Sequence, residues 1–170
     1  DHLIILSYQD KFDIQQADAK TLITLLHLRD IAEKKGFNLN IVTEMLDAKN
    51  RELANVTKAD DFIISDNMIS LLLSQVSENK HLMQIFDQLF KSEGNEVYMK
   101  PSSDYVKSGS EVNFYTVVES ALRKKEIAIG YRIISDYDNE NLNYGIRLNP
   151  VKSDKILFTE EDFIIVISEE

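Results

Sequence analysis

No cysteine occurs among the 170 residues, which excludes disulfides, thiolate metal sites and thiol catalysis. Glycine is sparse. The five are Gly36, Gly94, Gly109, Gly130 and Gly145, and none has the G-x-G spacing that lets a backbone turn approach a pyrophosphate. A Walker lysine motif is missing too. Basic charge is in deficit, with 19 Lys and Arg against 29 Asp and Glu. The net charge of −10 removes the footprint of a general nucleic-acid binder and fits solubility or cation binding. No apolar run approaches the roughly 18 residues of a membrane span. No signal peptide is expected in this stretch, since Asp1-His2-Leu3 opens directly into an apolar run, and the missing initial Met suggests a fragment or processed product. His2, His27 and His81 form no i, i+4 pair, so zincin chemistry is unsupported, and His27 reads as a core or interface residue of a leucine-rich helix. "KSGSEV" lacks the second glycine of a nucleophile elbow, and no catalytic triad suggests itself.

What is present is enough for a real core. Apolar residues make up 44% and charged residues 28%, spread along a length that suits one large domain or two small ones. "HLIILSY" at 2–8 reads as a buried strand. Leu22, Leu25, Leu26, Leu28, Ile31 and Ala32 then stripe a helix over 16–35 that Gly36 can cap. "NLNIVTEM" at 38–45 is a second strand, and Asp47 can cap a helix running to about Thr57. A third strand covers Phe62 to Ser65, with Asp66 placed to cap the next helix. Strands alternating with helices predict right-handed crossovers and a parallel sheet. After Gly94 the rhythm breaks into a small mixed α+β unit. It has a strand at "NEVYMK", a helix over 112–124 closed by Arg123, Lys124 and Lys125, and strands at 127–133, "IRLN" and 163–168. The expected domains are therefore 1–92 and 93–170.

The helix expected over 67–77 carries Met68, Ile69, Leu71, Leu72, Leu73 and Val76, which point nearly all round it, and such a helix must be covered. The next, over 80–91, sets Leu82, Ile85, Phe86 and Leu89 at i, i+3, i+4 spacing. Together they predict a homodimer through residues 67 to 91. Among the carboxylates, Asp136, Asp138 and Glu140 alternate as a calcium loop would begin. Asn141 and Arg147 stand where an EF-hand needs Gly and Glu, so a solvated turn is the reading. Glu44 and Asp47 follow a strand's C-terminal end, where open α/β sheets bind ligands, although Asp47 as a helix cap and Glu44 as a solvated side chain fit as well.

The stretch "NIVTEMLDAKNRELANVTKADDFIISDNMISLLLSQVSEN", with "ADAKTLITLLHLRDI" upstream and "TVVESALRKKEIAIGYR" downstream, resembles the Castor/Pollux ion-channel family over nearly the whole chain. Without a plant targeting feature it looks like a bacterial relative. The resemblance implies an α/β fold: the C-terminal half of a Rossmann-like RCK parallel sheet with a helix-turn-helix crossover, then a small α+β RCK-C-like subdomain. It implies a cytosolic regulatory domain, akin to those of potassium channels and Trk uptake subunits, that couples ion or nucleotide binding to an upstream pore. The chain itself would not insert into the membrane. The two helices would cross to a partner subunit, placing Met68, Ile69, Leu72, Leu73, Val76, Leu82, Ile85, Phe86 and Leu89 in a homodimer or larger ring.

The resemblance further implies that the glycine turn lies upstream, so nucleotide is not expected on this segment. Calcium is the candidate ligand, with Glu78 and Glu96 falling where calcium-gated RCK channels place acidic ligands and Asn79 as a further donor. If the chain begins at the fourth Rossmann strand, Leu3–Leu6 is left as an edge that recruits another strand or is covered by a terminal segment. A structural assembly module without ligand is the alternative. A half-dehydrogenase lacks both the glycine turn and a base–nucleophile pair.

Overall fold

The computed structural model describes residues 2–8, 11–37, 39–50, 61–91 and 93–169. The chain is mixed α/β, and its contacts group into two compact units, Asp1–Lys80 and His81–Glu170. The sequence break expected after residue 92 differs from this division over residues 81 to 92.

The first unit holds β1 (His2–Ile5), α1 (Ile14–Lys35), β2 (Asn40–Met45), a 3-10 turn at Ala48–Asn50, β3 (Asp61–Ile64) and α2 (Ser65–Glu78). The three strands are parallel in the order β1-β2-β3, with Leu3 beside Ile41 and Thr43 beside Phe62. This is the sheet that alternating strands and helices predict, since parallel neighbours need a crossover between them. Along β2, Ile41, Thr43 and Met45 are buried on one face while Val42 and Glu44 are half-buried on the other. Ile5, Leu25 and Ile41 form the core, joined by Leu3, Leu28 and Leu39. Asp13 caps α1 by accepting from the Gln16 amide, and Gly36 closes it at φ 68°, a conformation that costs glycine little.

Several local expectations change. His27 is exposed in the single chain, which removes the core reading of it and leaves the interface reading. Asp66 caps nothing: α2 begins one residue earlier, and its cap position, Ile64, carries no side-chain hydrogen bond. After Asp47 a 3-10 turn covers Ala48–Asn50, and the rest of the helix expected to run to about Thr57 lies in 51–60, outside the described residues. β1 is an edge strand that pairs with β2 alone among the described residues, and Ile4 on it is 71% exposed.

The second unit holds α3 (Leu82–Leu89), β4 (Glu96–Pro101), β5 (Glu111–Asn113), α4 (Phe114–Arg123), β6 (Ile127–Arg132), β7 (Ile146–Leu148), β8 (Lys155–Leu157) and β9 (Phe163–Ser168). An antiparallel sheet runs β4-β9-β6-β7, and β5 pairs with β8 in a small ribbon. Phe114, Val117 and Ala121 of α4 pack with Phe158, Ile164 and Val166, and Tyr131 meets the Phe158 ring edge-on at 5.5 Å between centroids.

One buried polar group in this unit sets a pH dependence. The Glu126 carboxylate accepts from Lys100 Nζ at 2.7 Å and from the Tyr105 hydroxyl. Burial works to raise its pKa. The hydrogen bonds from Lys100 and Tyr105, with the charges of Lys100 and Lys124, outweigh burial and hold it below the usual carboxylate value. Burial, then the Glu126 hydrogen bond and charge, push the Tyr105 phenol up. A depressed carboxylate pKa adds stability above the unfolded value, about 4.3, and that stability is lost as pH falls through the folded value. The second unit is therefore expected to lose melting temperature below about pH 4. Glu126→Gln should flatten that acid limb, as melts followed by near-ultraviolet circular dichroism would show. An acid limb of unchanged slope would refute the assignment.

Candidate functional site

The C-terminal ends of the three parallel strands gather the polar groups of the first unit. Glu44, near the end of β2, accepts from the Ser7 amide beyond β1 at 2.9 Å and from the Ser65 hydroxyl at the start of α2. One carboxylate thus ties both neighbouring strand ends. Asp18 on α1 is fully buried and accepts from the Leu46 amide at 2.9 Å, the Asp47 amide at 3.0 Å and Asn50 Nδ2 at 2.8 Å. Asp47 accepts from the Lys49 amide at 2.9 Å and from Gln15 Nε2 at 3.2 Å. Glu44 and Asp47 do stand at the strand ends, as their sequence position suggests, and both are engaged by the chain's own donors. Beside them a cleft of about 310 Å³ is lined by Phe12, Ile14, Leu46 and Asp66. The Lys20 ammonium lies 4.8 Å from the Tyr8 ring centroid and 4.7 Å from that of Phe12.

Sequence reasoning passed over Asp18, although a signal existed. It falls three residues before Thr21 and seven before Leu25, on the stripe that packs against the sheet, where a carboxylate needs internal donors. Glu126 gave no such signal, since Lys100 and Tyr105 are distant in sequence.

The helix expected to be apolar all round is narrower than that. At 3.6 residues per turn, Leu71, Met68, Leu72, Val76, Ile69 and Leu73 span an arc of about 200°. Asp66, Ser70, Ser74 and Ser77 take much of the remainder. No residue of α2 is buried, and Leu73 is 65% exposed. On α3, Leu82, Phe86 and Leu89 are half-buried, Met83 and Ile85 are exposed, and Phe86 stacks on Phe90 at 6.1 Å. Of the expected interface residues, Met68, Ile69, Leu73 and Ile85 are exposed, while Leu72, Val76, Leu82, Phe86 and Leu89 are partly covered.

Glu78 is exposed at the end of α2 in the first unit, and Glu96 begins β4 in the second, accepting from the Tyr98 hydroxyl at 2.9 Å. Among the described residues no group of three or more His, Asp or Glu side chains is gathered to hold a metal.

The chain aligns with the ion channel CASTOR of Lotus japonicus, 27% identical over 197 aligned positions that span 99% of this chain and 22% of that protein. The chain is a homologue of the Castor/Pollux ion channels. The probable ion channel SYM8 of Pisum sativum is 30% identical over 79% of this chain and 18% of its own length. The ion channel DMI1 of Medicago truncatula is 30% identical over 78% of the chain and 18% of its length. These homologues are named as channels, not enzymes, and the chain spans about a fifth of their length. No family model matches it. Among solved structures, the GsuK RCK domain aligns with 99% of this chain and 30% of its own, at 13% identity and a TM-score of 0.37.

Proposed function

We propose that this chain is a cytosolic regulatory domain of an ion channel, self-assembled through α2 and α3, whose ligand-dependent geometry sets the opening of an attached pore. One observation carries the reading. The chain aligns with ion channels over 99% of its length, yet among its described residues no helix is long and apolar enough to cross a membrane. A part of a channel that does not itself cross the bilayer can still act on the pore, if its ligand binds one arrangement of the assembly better than another and shifts the population toward it. The apolar arc of α2, without a buried residue in the single chain, supports the self-assembly.

The test is flux through the full-length channel protein reconstituted in lipid vesicles, with and without a substitution in the apolar arc. Loss of regulated opening with conduction retained is the expected result. Regulation indifferent to disassembly of the domain refutes the proposal.

Calcium is the ligand proposed for that geometry, with Glu78 and Glu96 among its donors. Calcium takes six to eight oxygens, so backbone carbonyls or Asn79 would complete the set. Binding to the native state alone stabilises by mass action, about 2.7 kcal/mol at a hundredfold excess over Kd. Millimolar calcium is therefore expected to raise the melting temperature by a few degrees, and Glu78→Gln with Glu96→Gln should remove the shift. A melting temperature that ignores millimolar calcium eliminates calcium as the ligand.

A further inference from the structure

We propose that a groove in the second unit, between the segment after β6 and the β8–β9 turn, docks a short basic–aliphatic peptide segment of another protein. The groove holds about 650 Å³, within the range of ligand sites. Its apolar walls come from Ile133, Ile134, Tyr137 and Leu157, and its acidic rim from Glu160 and Glu161. Tyr137 and Leu157 are each 60% exposed, so the walls present apolar surface to solvent.

The groove is preformed. Asp162 is buried beneath it, accepting from the Ile134 amide at 2.8 Å on one side and from the Thr159 amide and hydroxyl at 2.7 and 2.9 Å on the other. That carboxylate pins both walls and is consumed in doing so. Glu160 and Glu161 are different, for among the described residues neither is in an ion pair.

Charge decides the occupant. The lining itself carries Glu160, Glu161 and Asp162 and no Lys, Arg or His, and Asp136, Asp138 and Glu140 follow in the first wall's stretch; the flanking Arg132 and Arg147 are turned to the Tyr144 and Leu142 carbonyls. A groove with this field and apolar walls fits a side chain with an aliphatic stem and a cationic head, which lysine and arginine supply. A metal ion fits poorly, because Asp162 is taken up by the chain's own donors and no group of three or more His, Asp or Glu side chains is gathered among the described residues. Alternating lysine and leucine in an extended segment would satisfy walls and rim together, the backbone fixing the spacing of successive side chains.

Fluorescence anisotropy on the full chain tests this, using a labelled peptide of alternating lysine and leucine and its glutamate–leucine counterpart. The lysine peptide is expected to bind saturably at about 0.15 M salt and the glutamate peptide not at all. Glu160→Gln combined with Glu161→Gln should weaken binding about tenfold or more, and so should Leu157→Ser alone. Amide chemical shifts of the unmodified chain should move within 133–137 and 157–162, which keeps the test independent of how the variants fold. Shifts elsewhere overturn the proposal, as does binding that ignores Leu157. Full competition by spermidine would make the site one for small organic cations. A change of oligomeric state in the Glu160/Glu161 variant would make a second copy the occupant. Either result overturns the peptide.

Discussion

Leu72→Asp is expected to leave the chain folded and monomeric where the unmodified chain self-associates. Leu72 sits near the middle of the apolar arc of α2, between Met68 and Val76 one turn either way. No residue of that helix is buried in the single chain, so the substitution costs the isolated fold little. In an assembled seam the same carboxylate would be stripped of water with no cation among its α2 neighbours, since α2 contains neither Lys nor Arg. An unpaired buried charge costs about 3–5 kcal/mol, and each 1.4 kcal/mol is tenfold in affinity. A two-fold interface incurs that cost twice, once per copy. Light scattering over a concentration series would show the mass fall to that of one chain. An unmodified chain that is already monomeric at high concentration, or a variant that keeps its assembled mass, contradicts the seam.

Asp18→Ala should cost the first unit about 3–5 kcal/mol, because it leaves three donors without an acceptor. Two of these are the backbone amides of Leu46 and Asp47, which close the turn out of β2, and the third is Asn50 Nδ2. Hydrogen bonds to a charged acceptor contribute about 1.5–3 kcal/mol each and do not add fully, so the total falls short of the simple sum. Asp18→Asn keeps one acceptor oxygen and should lose roughly half as much. Urea unfolding with hydrogen exchange read separately over 41–50 and over 163–168 would localise the effect to the first unit. A loss under about 1 kcal/mol would mean that water replaces the carboxylate, and the anchoring role would fall.

The strands of the first unit were legible as short stretches rich in Ile, Val, Leu and Phe, and their parallel pairing followed from the alternation of strand-like and helix-like patterns along the sequence. The ribbon of β5 and β8 was hidden. Its strands are three residues long, too short for an alternation to register, and Val112 and Asn113 were read into the helix over 112–124, which begins at Phe114, while Lys155 reaches Glu111 at 2.7 Å only once the chain has folded. The start of α2 was misplaced because Ser65 reads equally as the end of a strand, and Asp66 looked like a cap that the backbone does not use. The apolar character of α2 was legible and its breadth was overstated, since a list of apolar residues carries no angle until the helical step is applied. At the strand ends, the position of Glu44 was legible and its partners were not, because Ser7 and Ser65 lie 37 and 21 residues away on either side. The acidic groove has the same origin: its two walls are ordinary polar turns until folding sets Ile134 against Asp162.

The bond from the Ser65 hydroxyl to Glu44 has a mechanical meaning. It fixes the first residue of α2 to the middle strand of the described sheet. Fourteen residues at 1.5 Å each make a lever arm of about 21 Å. With its fulcrum at Ser65, a tilt of about 10° would swing the tip by about 4 Å, a large stroke from a small rotation at the strand ends. Force applied to the tip would arrive at the Ser7 amide and at β2 through the same carboxylate.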